Sequence, residues 1–209
     1  MRPSSDHANP PSPRQAEAPC DNPLVAPYCR LVRASVTEER FGHILRVAQT
    51  ALAIGKSNGF SAEELEEVAL AAVLHDAARD MRDEQLKRLA PPECELEAEH
   101  PIVLHGRAAR TLAERWGVTD AVVLEAVEGH VFGVPDGHMV GMSVYVADVC
   151  EPGRGVNDDL RELAMLDLGA AYRQAVASKV DYLRRTGKPV HHATLAAYAS
   201  FSSAGRHDA

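Results

Sequence analysis

The sequence predicts an all-α protein. From Tyr28 onward apolar residues recur at three- and four-residue spacing, no convincing run of alternating β-branched residues appears, and helix punctuation falls where the periodic stretches begin and end. The spacing predicts a first helix over 28–36 and a longer one over 38–57, stopped by Asn58 and Gly59, residues suited to a left-handed stop. Ser61 and Glu64 form a capping-box pattern, which opens a helix through AEELEEVALAAVLHDAA. Its acidic first turn suits the helix dipole. Asp83 caps a short helix to about Leu89, stopped by Pro91 and Pro92, and a polar Glu-rich stretch leads to a helix over 101–116 that Gly117 ends. Thr119 caps DAVVLEAVEGH, the Gly-rich FGVPDGH follows as a loop, and MVGMSVYVADVC makes a helix that EPGRG breaks. The remainder, 157–186 and 192–201, reads as two or three amphipathic helices, the longest bent near Gly169.

With 209 residues, 45% of them hydrophobic, the chain can bury one substantial core, and a single domain over 28–203 is expected. Residues 1–27, rich in Pro, Ser, Ala and Asn, read as a disordered tail. A formal charge of −8 with no long basic run argues against a nucleic-acid polymer as partner, because such binding rests on clustered Lys and Arg. A small anion met by a few local arginines fits better. No stretch approaches the roughly 18 apolar residues of a membrane span, so a soluble cytoplasmic protein without a membrane partner is expected. Cys20, Cys29, Cys94 and Cys150 show neither zinc-knuckle spacing nor a compact disulfide framework, and reduced thiols are expected.

The chemistry lies in ionisable residues that occupy apolar helix stripes. Leu65, Val68, Ala69, Ala72 and Val73 define such a stripe, and its next positions are His75 and Asp76. A carboxylate taken from water without a partner costs several kcal/mol, so a buried Asp must neutralise, pair or coordinate a metal. The same test picks out four more residues. His43 shares a face with Val47, Ala51 and Ile54; His105 with Ala108, Ala109 and Leu112; His130 with Val123 and Val127; Asp148 with Val144 and Tyr145. A lone inward histidine is ordinarily a hydrogen-bonded core residue. Four imidazoles and two carboxylates in a chain with one core are most simply satisfied by converging on metal. His7, His100, His138, His192 and His207 fall in tail, loop or surface contexts and are expected to be solvated.

The order RFGH (40–43), VLHDAAR (73–79), VLHG (103–106), EGHVFG (128–133) and YVADVCEPGR (145–154) resembles the HD-domain metal-dependent phosphohydrolases. Within them it is most similar to the YqeK-type branch, symmetrical diadenosine tetraphosphate hydrolases that release two ADP. LRELAMLDL (160–168) and VHHATLAAY (190–198) extend the resemblance, which covers nearly all of 40–198. It implies an HD-type helical bundle around two metal ions, normally iron. His43, His75, Asp76 and Asp148 would hold one, and His105 and His130 the second, with Asp76 shared. Ligand chemistry alone permits iron, manganese, cobalt or zinc.

The resemblance further implies hydrolysis by water activated at the metals, with Asp76, His75 and Arg79 as the catalytic group. Arg79, Val131, Arg154, His191 and Thr194 fall at substrate-binding positions, and the partner is a small dinucleoside polyphosphate or nucleotide; a homodimer is left open. Arg79 stands where the branch usually has Lys, keeping the charge and adding a bidentate fork. Val131 replaces a usual Thr, His192 a usual Pro and Ala199 a common Asn, which leaves another nucleotide phosphohydrolase or phosphodiesterase, or a non-catalytic nucleotide sensor, as alternatives.

Overall fold

The computed structural model describes residues 19–202. Most of the expected tail lies outside the described residues, but its last part is built into the fold. Pro19–Asp21 form a 3-10 turn, Pro19 is buried and Val25 is 1% exposed, so the packed body starts before Tyr28. The turn carries Cys20 back against the first helix, where a disulfide joins it to Cys29 with their Cα atoms 5.9 Å apart. The expectation of reduced thiols therefore fails for this pair and holds for Cys94 and Cys150, which are free.

Secondary structure among the described residues is helical, with no strand. Helix α1 spans Ala26–Ser35, and α2, Glu38–Ser57, is capped by Thr37, whose side chain accepts the Arg40 N–H. Helix α3, Ala62–Leu74, has both halves of the Ser61–Glu64 capping box. It stops earlier than the apolar stripe implies. His75 is its C-cap and the chain continues in turns to Asp80, so the His–Asp pair stands at a helix end.

Helix α4, Asp83–Leu89, starts after Arg82 with Asp83 already inside it, and the Glu-rich stretch holds the short α5, Glu95–Glu99. The helix expected over 101–116 is split into a 3-10 turn, Pro101–Leu104, and α6, His105–Arg115. The cap of α7, Ala121–Gly129, is Asp120 and not Thr119, because the Asp120 carboxylate accepts the N–H groups of Val122 and Val123. Helix α8 spans Met139–Cys150. The final region breaks at Asp167, ahead of Gly169, because Asp167 caps a new helix: α9 is Asp158–Leu166 and α10 is Leu168–Arg185. Helix α11, His192–Ser202, is the last element among the described residues. No described helix is long and apolar enough to cross a membrane.

The core is organised around α8. Residues 140–147 are buried on every side, as expected of a helix apolar all round, and α8 packs against α2, α3, α7, α9 and α10. Two local devices then set the spacing around it. A Cβ on Gly106 would lie 2.6 Å from the Glu128 carbonyl oxygen and 2.8 Å from Val131 Cγ2, so only glycine lets the start of α6 meet the end of α7 this closely. The loop after α7 turns at Gly133 (φ +107°) and is fixed by Tyr172 of α10, whose hydroxyl accepts the Val134 N–H at 2.7 Å and donates to the Val134 carbonyl at 2.5 Å. Tyr172→Phe strips both partners from a buried peptide unit and is expected to cost about 1–3 kcal/mol, read as a lowered urea midpoint with unchanged slope. A loss under about 0.5 kcal/mol, the range of surface substitutions, would mean the loop holds without it.

Candidate metal centre

Helix ends build this site. His43 projects from α2, His75 ends α3, His105 opens α6, His130 is the C-cap of α7 and Asp148 lies in the last turn of α8. Three of the histidines are held by one local device. The Nδ1 atoms of His75, His105 and His130 lie 2.7, 2.6 and 2.7 Å from the carbonyl oxygens of Ala72, Ile102 and Val127, each three residues earlier. A carbonyl can only accept, so each Nδ1 carries the proton and each Nε2 offers a lone pair to the centre. His43 is oriented instead by Glu151, whose Oε1 lies 3.0 Å from its Nδ1.

The Asp76 carboxylate stands between two groups of these nitrogens and is 3% exposed. Its Oδ1 is 3.4 Å from His105 Nε2 and 3.5 Å from His130 Nε2. Its Oδ2 is 3.6 Å from His75 Nε2 and 3.8 Å from His43 Nε2. Asp148 Oδ1 completes the second group, 3.0 Å from His43 Nε2 and 4.0 Å from His75 Nε2. All six residues marked in the sequence thus converge.

Two features show that this donor set suits cations. His75 Nε2 is buried without a hydrogen-bond partner. The Nε2 atoms of His105 and His130 face each other at 3.1 Å, which opposes two lone pairs unless a proton or a metal ion lies between them. Donor atoms of His43, His75 and Asp148, and of His75, Asp76 and His130, lie within 4.8 Å of one another in each set. Imidazole and carboxylate without sulfur match iron, manganese or zinc.

The charges are otherwise balanced by protein. Burial alone would raise the Asp76 carboxyl, but the imidazoles of His75, His105 and His130 hold it well below the usual range. Asp148 is likewise depressed against its burial, by the bond to His43 and the nearby His75 and Arg154. His43 is raised, burial being outweighed by its bonds to Asp148 and Glu151, while burial lowers His105. Arg40 Nη1 donates to Asp76 Oδ2 at 3.0 Å, and Arg154 Nη2 donates to Asp148 Oδ1 at 2.5 Å.

Residues 40–153 match the HD domain family. The chain belongs to that family. It is 30% identical over 174 residues to the symmetrical bis(5'-nucleosyl)-tetraphosphatase of Bacillus subtilis strain 168, covering 80% of this chain and 91% of that one. The enzyme of the same name from Halalkalibacterium halodurans is 28% identical over 179 residues, 81% and 92% of the two chains. A solved structure, described as a predicted HD superfamily hydrolase involved in NAD metabolism from Clostridium acetobutylicum, superposes with a TM-score of 0.76 at 26% identity, covering 86% of this chain and 97% of that one. The protein is an HD-type, metal-dependent phosphohydrolase.

Beside the HD residues opens a cavity of about 780 Å³, lined by Asp76, His105, His130 and Asp148 and by Arg40, Arg79, Val131, Arg154 and Lys179. The Arg79 side chain forms no hydrogen bond or ion pair among the described residues, whereas Arg154 is engaged with Asp148. His191 and Thr194 do not reach this cavity. They are buried along a neighbouring one of about 440 Å³, which shares Val131 and Lys179 as a common wall.

Several contributors escaped the sequence reading. Arg40 lies three residues before His43 and Glu151 three after Asp148, at helical spacing that places each beside a singled-out residue. The stripe test followed apolar neighbours and passed over such charged pairs. Lys179, from α10, carries its Nζ to the Val131 carbonyl at 2.5 Å, and burial pushes it down to about 8 despite Asp148.

Glu151 connects this geometry to pH. Burial opposes ionisation, but Arg46, His43 and the Gly153 N–H hold its carboxyl down to about 2, against an ordinary value of 4.5. A depressed carboxylate stabilises the fold above its unfolded pKa, and that contribution fades as pH falls from about 4.5 towards 2. In chelator-treated protein, Glu151→Gln is expected to cost on the order of 1–3 kcal/mol near pH 7, with the deficit shrinking below pH 4.5. Parallel urea curves of wild type and variant across that window would refute this if the gap stayed constant.

Proposed function

We propose that this chain hydrolyses dinucleoside tetraphosphates symmetrically, taking diadenosine tetraphosphate to two ADP, with two metal ions held by His43, His75, Asp76, His105, His130 and Asp148. The observation that carries the reading is the division of the Asp76 carboxylate, Oδ1 towards His105 and His130 and Oδ2 towards His43 and His75. That arrangement fits a bridging carboxylate. Relatives aligned along most of the chain, named for symmetrical tetraphosphatase activity, support the choice of substrate. The family resemblance suggests iron, and the ligand chemistry equally permits manganese, cobalt or zinc.

Phosphoanhydride hydrolysis demands positioning and neutralisation of phosphoryl charge, and bound metals supply Lewis acidity and an acidified water. The chain supplies the rest. Glu151 holds the His43 ring, and the three backbone carbonyls fix the other rings in the tautomer that leaves Nε2 as the donor. Arg79 and Lys179 bring positive charge to the cavity wall, where a polyphosphate carries its negative charge. Arg154 can exchange Asp148 for a phosphate oxygen, since a cation on Asp148 competes for the same lone pairs.

Metal-reconstituted protein is expected to convert diadenosine tetraphosphate to ADP alone. ATP plus AMP would move the cleavage point, and an intact substrate with turnover of another nucleotide would give the site to a different phosphohydrolase, the reading that Val131 favours. Asp76→Asn is expected to lower kcat by at least about a thousandfold, as loss of a principal electrostatic group does, with reduced metal content and native circular dichroism. Arg79→Ala is expected to lower kcat/KM about 10- to 100-fold, the equivalent of one charged hydrogen bond, without changing the metal content. Full activity in that variant would remove Arg79 from the substrate site.

A further inference from the structure

Outside the Asp76 centre stands a second group of metal donors with different chemistry. Donor atoms of Cys94, His191 and His192 lie within 4.8 Å of one another. Cys94 is the N-cap residue of α5, His191 immediately precedes α11, and His192 is its first residue. His191 is 6% exposed, stacked flat on Phe132 with ring centroids 3.7 Å apart and touching the His192 ring at 4.1 Å. Its surroundings are unusual for a core histidine. The Nε2 atom is buried and makes no hydrogen bond, although Glu97 Oε1 lies 3.3 Å away, and Nδ1 accepts only the Ala193 N–H at a long 3.2 Å.

We propose that Cys94, His191 and His192 form a separate binding site for one thiophilic divalent cation, zinc or its congener cobalt, distinct from the sulfur-free centre around Asp76. A thiolate with two imidazoles is a zinc-type donor set, and three protein ligands leave a fourth position for water or a carboxylate. Zinc–sulfur and zinc–nitrogen bonds of about 2.3 and 2.0–2.1 Å put these tetrahedral ligand atoms roughly 3.3–3.6 Å apart. Small rotations of the exposed His192 and half-buried Cys94 side chains close the difference from 4.8 Å.

Glu97 is buried, fixed by the Glu93 N–H at 2.6 Å and Arg107 Nη1 at 3.0 Å, and it faces His191 Nε2 as the carboxylate of a carboxylate–histidine–metal arrangement does. Nδ1 then ligates the metal in place of its long contact with the Ala193 N–H at 3.2 Å. A neighbouring cavity of about 430 Å³, lined by Glu93, Glu97, His191 and His192, gives a cation and its fourth ligand access.

Sulfur separates the two sites experimentally. Cobalt(II) titrated alone into chelator-treated, full-length protein, with the Cys20–Cys29 disulfide kept oxidised, is expected to produce a thiolate-to-cobalt charge-transfer band in the near ultraviolet. The centre around Asp76 has only nitrogen and oxygen donors and cannot give that band. Cys94→Ser, which places a favoured N-cap residue at the start of α5 and is expected to fold, should abolish the band and lower bound zinc by one equivalent per chain. His192→Ala, at an exposed position, should weaken the band, and Asp76→Asn should leave it intact. No band in the wild-type protein, or a band that survives Cys94→Ser and so arises from Cys150, would overturn the assignment.

Discussion

A buried carboxylate shared between two sets of imidazoles is the constraint that orders this structure. Asp76 cannot sit in a packed helical core as a free ion, because desolvation costs several kcal/mol, and no single basic side chain reaches both of its oxygens. The fold answers by bringing four imidazoles and Arg40 around it from α2, α3, α6 and α7. Helix ends are what make this affordable. Their terminal carbonyls lack intrahelical partners, and those of Ala72 and Val127 each accept a histidine Nδ1–H from three residues on, while the Ile102 carbonyl, which already accepts the His105 N–H, takes the His105 Nδ1–H as well. In each case the hydrogen bond selects the tautomer and aims Nε2 inward.

The rest of the architecture follows from convergence of helix ends on one point. Helices whose termini meet need close crossings. Gly106 permits one of these, between α6 and α7, and α8 fills the space behind them. The same convergence leaves an electrostatic balance that an anion can disturb. Arg154 binds Asp148 from an exposed loop, while Arg79 faces the cavity with no protein partner among the described residues. On the proposed reading the two arginines differ in role. Arg79 offers standing positive charge, and Arg154 offers charge that becomes available when a cation takes over Asp148.

Much of this was legible in the sequence because burial and period constrain each other. All six inward polar residues were found by asking which ionisable side chains continue an apolar stripe, and they meet although they lie on different helices. What the stripe could not show was where helices end. His75 and His105 stand at a C-cap and at a 3-10 to α-helix junction, and both were expected inside continuous helices. The periodicity of a short 3-10 turn is close to that of an α-helix, so apolar spacing runs across the junction unbroken. Charged residues beside the site, Arg40 and Glu151, were invisible to a test built on apolar neighbours. The Cys20–Cys29 pairing was hidden for another reason: it depends on a turn within a Pro-rich stretch that carries almost no periodic signal.

His191 illustrates how a resemblance and a geometry can assign one residue differently. Its place in the terminal motif implies contact with nucleotide, yet it is buried away from the cavity at Asp76, flat against Phe132 and beside Cys94 and His192. The two roles need not compete. Phe132 is two residues beyond His130, so the segment that anchors a proposed core ligand also forms the stacking surface for His191. Gly133 turns that segment and Tyr172 pins the residue after it, which leaves the span from His130 to Val134 little freedom. A cation bound at Cys94, His191 and His192 would fix the outer face of this span as the core ligands fix its inner end. The bond from Lys179 Nζ to the Val131 carbonyl ties the same span to α10 at the wall of the substrate cavity.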